Sequence, residues 1–207
     1  MVMARILPTL DNIMFIYPKK LLLKDATKII VRPAEKEDLE DLFRFFSGIP
    51  RSDLLIYKDD VTRWETIESW FMSTRYNKIL QLVALKESEI VGKGTLHKEG
   101  LYWHNAAELK LVIAPEYRSR GLGLQMFKIL LAESLVHGFE KVIVRYTVDN
   151  KSFMRILHHF GFKPESVLRC YISDEHVNGA RDLVVASYDL KDWQGRFEFY
   201  NHIYHVS

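Results

Sequence analysis

A short loop with two glycines, RSRGLG at residues 118–123, follows an apolar strand and precedes an amphipathic helix. Because Gly121 and Gly123 carry no side chain, the backbone amides around them can come close to an anion, and the positive end of the helix dipole adds to the attraction. Arg118 and Arg120 place two cations beside those amides, unless both are solvated loop charges. The loop therefore predicts a site for a phosphate or pyrophosphate group.

Two glycines after a strand are a weak signal alone, because many strand-to-helix turns need them. Two common nucleotide motifs fit this loop less well. No Lys-Ser or Lys-Thr pair follows the glycines, as a P-loop requires, and the loop is shorter than the dinucleotide-binding fingerprint. The order of elements is more specific: the loop, a helix, a strand, and then Asp149-Asn150 before a helix that ends at Gly161-Phe162.

A carboxylate, Glu108, lies on the strand that leads into the loop, 13 positions before Gly121. Strand alternation places Glu108 and Lys110 on one face and Leu109 and Leu111 on the other. The spacing leaves two interpretations of Glu108 open, a catalytic carboxylate or a solvent-facing charge.

Hydrophobic periodicity predicts an α/β protein with a sheet of mixed direction. Helices are predicted over residues 34–48, 62–75, 121–137 and 150–160. Strands are predicted over residues 27–33, 78–89, 89–100, 106–113, 141–148, 167–177 and 180–190. Two of the strand pairs are hairpins, with turns at Glu87-Ser88 and at Asn178-Gly179. Residues 1–26 give no clear assignment.

Composition favours one ordinary globular domain over residues 1–207, with an N-terminal extension at 1–26 and an aromatic-rich tail at 192–207. The 29 basic and 27 acidic residues are interspersed, which argues against nucleic acid as a partner. Cys170 is the only cysteine, so an intrachain disulfide and a Cys-based zinc site are excluded, and we expect no metal.

No apolar run approaches the ~20 residues that span a bilayer, and the N-terminus lacks the apolar core of a signal peptide. We therefore expect a cytoplasmic protein without a membrane partner. The aromatic tail would be costly to expose, so we expect it to dock either on the domain or on a second copy of the chain in a homodimer.

The glycine loop and the elements around it resemble those of the GNAT superfamily of N-acetyltransferases. This resemblance implies a mixed, mostly antiparallel central sheet with helices on both faces and two splayed central strands. It also implies acetyl-CoA as cosubstrate and a primary amine as acceptor. The implied acetyl-CoA contacts are Val112, Ile113, Arg118, Ser119, Arg120, Gly121, Leu122, Gly123 and Asn150. Asn150 is equally well suited to be a helix N-cap.

Two segments, AELKLVIAPEYRSRGLG and YPKKLLLKDATKIIVRPAEKEDLEDLFRFFSGI, are similar to the Pat-type bacterial protein lysine acetyltransferases. That similarity implies that Glu108 is the catalytic base and that a protein lysine is the acceptor. A lysine amine has a pKa of ~10.4, so its neutral form costs about 4 to 5 kcal/mol at pH 7. A small-molecule amine is the alternative acceptor, and a non-catalytic acetyl-CoA sensor is the alternative function.

The proton donor to the leaving thiolate is not identified by the sequence. Many GNAT enzymes carry a tyrosine four residues before the glycine of the GF pair, and here that position is Leu157. His158 and His159 are adjacent to it, but consecutive helix positions point in different directions, so at least one faces solvent. Trp103, His104, Tyr57, Trp64 and Trp70 either shape the acceptor pocket or pack in the core.

Overall fold

The computed structural model describes residues 17–72, 79–98, 105–174 and 177–191. In this part of the chain one sheet contains β1 (Lys19–Leu22), β2 (Lys28–Pro33), β3 (Ile79–Lys86), β4 (Glu89–Lys98), β5 (Ala106–Ile113), β6 (Lys141–Thr147), β7 (Lys163–Asp174) and β8 (Val177–Asp189). The strand order is β1-β2-β3-β4-β5-β6-β8-β7. Neighbouring strands are antiparallel except β5 and β6, which are parallel. The predicted mixed, mostly antiparallel sheet is confirmed.

The described helices are α1 (Leu39–Ser47), α2 (Arg51–Leu54), α3 (Trp64–Met72), α4 (Leu122–Val136) and α5 (Lys151–Phe160). Helices α1, α2 and α3 cover one face of the sheet and share a core with Val83 and Val112. Helices α4 and α5 cover the other face and pack on Leu109 and Val144. The predicted helices on both faces are confirmed, whereas β1 and α2 are short elements that periodicity did not reveal.

One predicted turn is misplaced. Asp174 pairs with Val177, so the chain reverses between these two residues, and Asn178-Gly179 lies inside β8. Gly179 has a φ of +78°, so the glycine marks a left-handed residue within the hairpin arm rather than its turn. The other predicted turn, at Glu87-Ser88, does join β3 to β4.

Helix α4 lies close against the centre of the sheet because β4 offers it a glycine. A Cβ at Gly94 would lie 2.6 Å from Leu130 Cδ1, so a larger residue there would require the Leu130 side chain to shift. This close packing brings the beginning of α4 to the end of β5, where the 118–123 loop connects them.

The central strands β5 and β6 separate partway along their length. They pair from Ala106 with Lys141 to Leu109 with Val144, and no further pair follows. Each strand stays in the sheet through its outer neighbour, since Ile113 pairs with Gly92 on β4 and Thr147 pairs with Leu183 on β8. The predicted splay is confirmed, and it leaves a gap beside the last four residues of β5.

Candidate active site

The gap between β5 and β6 opens into a cleft with a volume of about 440 Å³. Its walls are the open ends of the two strands, the 118–123 loop, and residues of α2, α4 and α5. Of the predicted cosubstrate contacts, the cleft is lined by Val112, Ile113, Arg118, Ser119, Gly121, Gly123 and Asn150. Arg120 and Leu122 are not in its wall, and Leu122 is fully buried.

Gly121 is the N-cap of α4 and has a φ of +95°, a left-handed conformation that favours glycine. The first backbone bond of this helix runs from Gln125 N–H to Gly121 O, so the amides of the preceding turn have no partner within the helix. A Cβ at Gly123 would meet Ile156 Cδ1 at 3.5 Å, an ordinary contact, so packing does not require a glycine there. Gly121 and Gly123 both line the cleft, so no side chain at either position covers this turn of backbone.

The two loop arginines are each engaged by a carboxylate. Arg118 Nη2 lies 2.7 Å from Asp53 Oδ2, and Arg118 Nε donates to Ile113 O at 3.0 Å. Arg120 Nη1 lies 2.8 Å from Asp25 Oδ2. Both arginines are partly exposed, and they fasten the loop to α2 and to the turn after β1.

Further basic side chains line the cleft that the motif did not identify. Lys24 comes from the turn after β1, and its N–H donates to Arg120 O at 3.1 Å. Arg155 comes from α5 and Arg145 from the open end of β6. Single lysines and arginines far from the loop in sequence give no local signal, so only the fold brings them to the cleft.

The backbone of β5 turns two amides toward the gap. Ala114 N–H donates to Val91 O of β4 at 2.9 Å, so strand alternation also directs the Val112 amide to β4. The intervening residues Leu111 and Ile113 therefore direct their backbone groups toward β6, where no strand pairs with them. Of Val112 and Ile113, two of the predicted acetyl-CoA contacts, only Ile113 directs its backbone N–H into the gap.

Glu108 is 6% exposed and lies on the sheet face that carries α1, α2 and α3. The solvent-facing interpretation of this carboxylate is therefore wrong. Arg145 Nη1 lies 2.7 Å from Glu108 Oε1, and Lys110 Nζ lies 3.6 Å from Glu108 Oε2. A buried carboxylate held between two cations at the edge of a cleft is typical of a functional site.

Lys93 lies behind this group and is 1% exposed. Its Nζ is 4.2 Å from the centroid of the Trp70 ring and 5.9 Å from that of Phe46. Burial, together with the positive charge of Lys110, lowers the pKa of Lys93 to about 7. Burial also lowers the pKa of Lys110, with Glu108 acting in the opposite direction.

The aromatic residues predicted to lie either in the acceptor pocket or in the core occupy different places in the structure. Tyr57 and Trp70 stack on each other with centroids 6.3 Å apart, and both pack on Phe46. Tyr57 also faces the charged group, since Lys110 Nζ lies 5.3 Å from its ring centroid. Burial and the charge of Glu108 raise the pKa of Tyr57 well above its usual range. Trp64 packs on α1, and Trp103 and His104 lie outside the described residues.

The beginning of α5 combines a cap with a cleft wall. Asn150 Oδ1 accepts from Phe153 N–H at 3.1 Å, so its N-cap role is confirmed, and the same residue lines the cleft. Leu157 is buried in the core, and His158 and His159 are exposed. Only His159 of the two histidines lines the cleft.

A buried tyrosine, Tyr146, lines the cleft from β6 and was not identified from the sequence. Its ring packs edge-to-face on Phe153 of α5, with centroids 6.0 Å apart, and burial raises the pKa of its hydroxyl. Sequence reasoning searched for a phenol on the helix, whereas this one lies on the neighbouring strand. A period-two apolar pattern alone does not distinguish such a residue from core.

The described ranges contain no group of three or more His, Cys, Asp or Glu side chains that could hold a metal ion. No helix in these ranges is long and apolar enough to cross a bilayer.

Comparison with known proteins agrees with this geometry. A family model described as "Acetyltransferase (GNAT) domain" matches residues 28–163. Among solved structures, an N-acetyltransferase from Staphylococcus aureus Mu50 is 19% identical with a TM-score of 0.68, and the match covers 78% of this chain and 98% of that chain. The GNAT domain of S. lividans PAT is 14% identical, with a TM-score of 0.66 and coverage of 83% and 96%.

A spermidine/spermine N-acetyltransferase from Vibrio cholerae is 18% identical, with a TM-score of 0.65 and coverage of 81% and 96%. Identities this low show a shared fold, whereas the family model covers more than half of the chain. The glycine loop, the splayed strands and the matched family agree, and this chain belongs to the GNAT acetyltransferases, as an N-acetyltransferase with acetyl-CoA as its cosubstrate.

Proposed function

We propose that this protein transfers acetyl from acetyl-CoA to the side-chain amine of a protein lysine by direct attack, with Glu108 as the general base. The observation that carries the proposal is the buried Glu108 carboxylate, which stands on the strand leading into the glycine loop and contacts two cleft-lining cations. The similarity of two segments to the Pat-type lysine acetyltransferases favours the protein acceptor.

The residues of the cleft fit acetyl-CoA in two places. The amides at the beginning of α4 have no partner within the helix, and with Lys24 and Arg155 in the cleft wall they suit a pyrophosphate. The amides of Leu111 and Ile113 face the gap and suit an amide-bearing arm that lies between the strands. When bound, the thioester supplies the acyl group, and this chain supplies positioning and proton transfer.

A neutral amine is the first requirement of direct attack. Glu108 accepts the proton that the amine loses as its nitrogen bonds to the acyl carbon, either directly or through a water. Arg145 and Lys110 hold the carboxylate in place, and their charges disfavour an ammonium ion nearby, which reduces the cost of deprotonating the amine.

The oxyanion and the leaving group are the remaining requirements. The Ile113 N–H, directed into the gap, donates to the oxygen that becomes negative during attack. As the carbon–sulfur bond breaks, Tyr146 donates its proton to the thiolate. A phenol is protonated at neutral pH, and Tyr146 lines the cleft beside the open ends of the two strands, so its hydroxyl is in position to act as this acid.

Two measurements test the proposal. Calorimetry with acetyl-CoA measures binding, and a thiol-release assay measures turnover on folded proteins, on free lysine and on spermidine. We expect binding and turnover on folded proteins. Turnover only on free amines would assign a small-molecule enzyme instead, and binding without turnover on any amine would assign a sensor.

A further inference from the structure

We infer that the turn after β1, residues 23–27, is part of the acetyl-CoA site, with Lys24 binding the pyrophosphate and Asp25 holding the glycine loop in place. This inference rests on the proposed function, since it concerns acetyl-CoA in the same cleft, but it depends neither on the acceptor nor on the base. The turn precedes residues 28–163, the segment that the family model matches.

The first support is a set of three contacts between the end of β1 and the glycine loop. Lys24 N–H donates to Arg120 O at 3.1 Å, and Arg120 Nη1 donates to Asp25 Oδ2 at 2.8 Å. Gln125, in the first turns of α4, donates from Nε2 to Leu22 O at 3.1 Å. Backbone and side-chain bonds together therefore fix the turn against the loop.

The second support is the internal order of the turn. Leu23 is 3% exposed, so its side chain anchors the turn in the core, and its N–H donates to Thr27 O at 2.9 Å. Thr27 N–H donates to Asp25 Oδ1 at 3.1 Å. Asp25 thus bonds both the turn and Arg120, one with each carboxylate oxygen. The backbone of Lys24 is therefore positioned by its neighbours, and its side chain is left for another role.

The third support is the charge of Lys24. Arg118 and Arg120, the cations of the loop motif, are each paired with a carboxylate. Lys24 lines the cleft, and in the described part of the chain no carboxylate forms an ion pair with it. A lysine ammonium is a strong donor to phosphate oxygens. Lys24 is therefore available to a phosphate group without first breaking an ion pair.

The place of Lys24 beside the loop indicates which phosphate it binds. A Cβ at Gly121 would meet Lys24 Cγ at 3.7 Å and Lys24 Cε at 3.8 Å, so the aliphatic part of the lysine lies along this glycine. Gly121 begins the turn of backbone that suits the pyrophosphate. Acetyl-CoA also carries a 3′-phosphate on its ribose, but the lysine beside Gly121 is placed for the pyrophosphate.

The test measures affinity by calorimetry for acetyl-CoA and for acetyl-dephospho-CoA, which lacks only the 3′-phosphate. Lys24→Gln should bind both about tenfold more weakly than the wild type. The difference from the wild type should shrink as salt rises from about 0.05 to about 0.5 M. Lys28→Gln is the matched control, because Lys28 is an exposed lysine of the same hairpin that is not in the cleft wall, and it should leave both affinities unchanged.

A double-mutant cycle tests the positioning role of Asp25. Asp25→Asn weakens the bond to Arg120, so the affinity for acetyl-CoA should fall about threefold. In the Asp25→Asn protein, Lys24→Gln should cost clearly less than tenfold, because the lysine is no longer held beside the loop. Losses that simply add would show that Asp25 does not act through Lys24.

The outcomes separate this inference from the proposed function. Wild-type affinity in Lys24→Gln, or an equal loss in Lys28→Gln, would overturn the role of Lys24 and leave the proposed function standing. A loss with acetyl-CoA but none with acetyl-dephospho-CoA would overturn the pyrophosphate contact in favour of the 3′-phosphate. Binding of acetyl-CoA without turnover on any amine would overturn the proposed function alone, and no binding by the wild type would overturn both.

Discussion

The two ends of the cleft present different kinds of chemical group to a ligand. At the loop end the ligand-facing groups of the motif are backbone amides, and its arginines are paired with Asp53 and Asp25. At the acceptor end the groups are side chains: Lys110 and Arg145 line the wall, and Glu108 and Lys93 are buried beside them. The loop end relies mainly on backbone groups that every residue carries, whereas the acceptor end depends on the identity of particular side chains.

The energetic cost of the two ends also differs. A left-handed Gly121 costs little, because glycine has no Cβ to clash. Three buried charged residues carry a desolvation penalty that their mutual attraction only partly offsets, and apolar residues of similar size often serve stability as well. Retaining ionisable groups at the acceptor end is therefore better explained by chemistry than by folding.

The first prediction has the largest expected effect and concerns a substitution at the acceptor end of the cleft alone. Glu108→Gln keeps the shape of the side chain and removes the proton acceptor, so turnover should fall by about 10² to 10⁴ with acetyl-CoA affinity nearly unchanged. Because the amine loses its proton unaided near its pKa of ~10.4, the deficit should be smaller at pH ~9.5 than at pH ~7.

The matched control is Glu116→Gln, which removes an exposed carboxylate between β5 and the loop and should leave turnover unchanged. If Glu108→Gln is as active as the wild type at neutral pH, Glu108 is not the base, and removal of water from the amine is the remaining route to a neutral nucleophile.

The second prediction changes only the loop end. Gly121→Glu adds a negative charge beside the amides at the beginning of α4, so the affinity for acetyl-CoA measured by calorimetry should fall about 100-fold. A Cβ at this position would meet no atom closer than 3.7 Å, so the main structural cost is the left-handed φ.

Gly138→Glu controls for that cost. Gly138 also has a positive φ, +73°, and a Cβ there would meet nothing within 4 Å. The two variants should therefore show similar thermal stability, and only the first should lose acetyl-CoA. Equal affinities in the two folded variants would remove the loop from the cosubstrate site.

The same contrast explains how much the sequence predicted. The strand, loop and helix from Ala106 to Val136 follow one another along the chain, so local signals gave β5 and α4 almost to the residue. The faces of β5 were also correct, because strand alternation is a local rule. The acceptor end combines residues from several strands and helices, and neither the ion pair of Glu108 with Arg145 nor the cation–π contact of Lys93 with Trp70 has a local signal.

The hairpin turn predicted at Asn178-Gly179 shows the opposite case, in which a strong local signal was misleading. Asn-Gly is a strong turn signal, but the pairing of β7 with β8 places the reversal between Asp174 and Val177. Register along a long hairpin is decided by the whole set of cross-strand pairs, which a dipeptide cannot report.

The third prediction has a smaller expected effect and concerns Tyr146, which lines the cleft from β6. Tyr146→Phe removes the proposed proton donor, so turnover should fall about tenfold with acetyl-CoA as donor. With S-acetyl thionitrobenzoate, whose thiolate leaves without a proton, the variant and the wild type should react equally. Tyr188→Phe, which removes another buried hydroxyl outside the cleft wall, should leave both rates unchanged. A Tyr146→Phe deficit of equal size with both donors would assign the residue a packing role.

The smallest expected effect concerns the two histidines of α5, which the sequence offered as alternative acids. Both are exposed, and only His159 lines the cleft, so the pair forms an internal comparison. If Tyr146 supplies the proton, His158→Gln and His159→Gln should each keep turnover within about threefold of the wild type. A loss of ~100-fold in His159→Gln with none in His158→Gln would move the acid from the strand to the helix. Because the imidazole of His159 stands in the cleft wall, such a loss would also place the leaving sulfur beside α5 rather than beside β6.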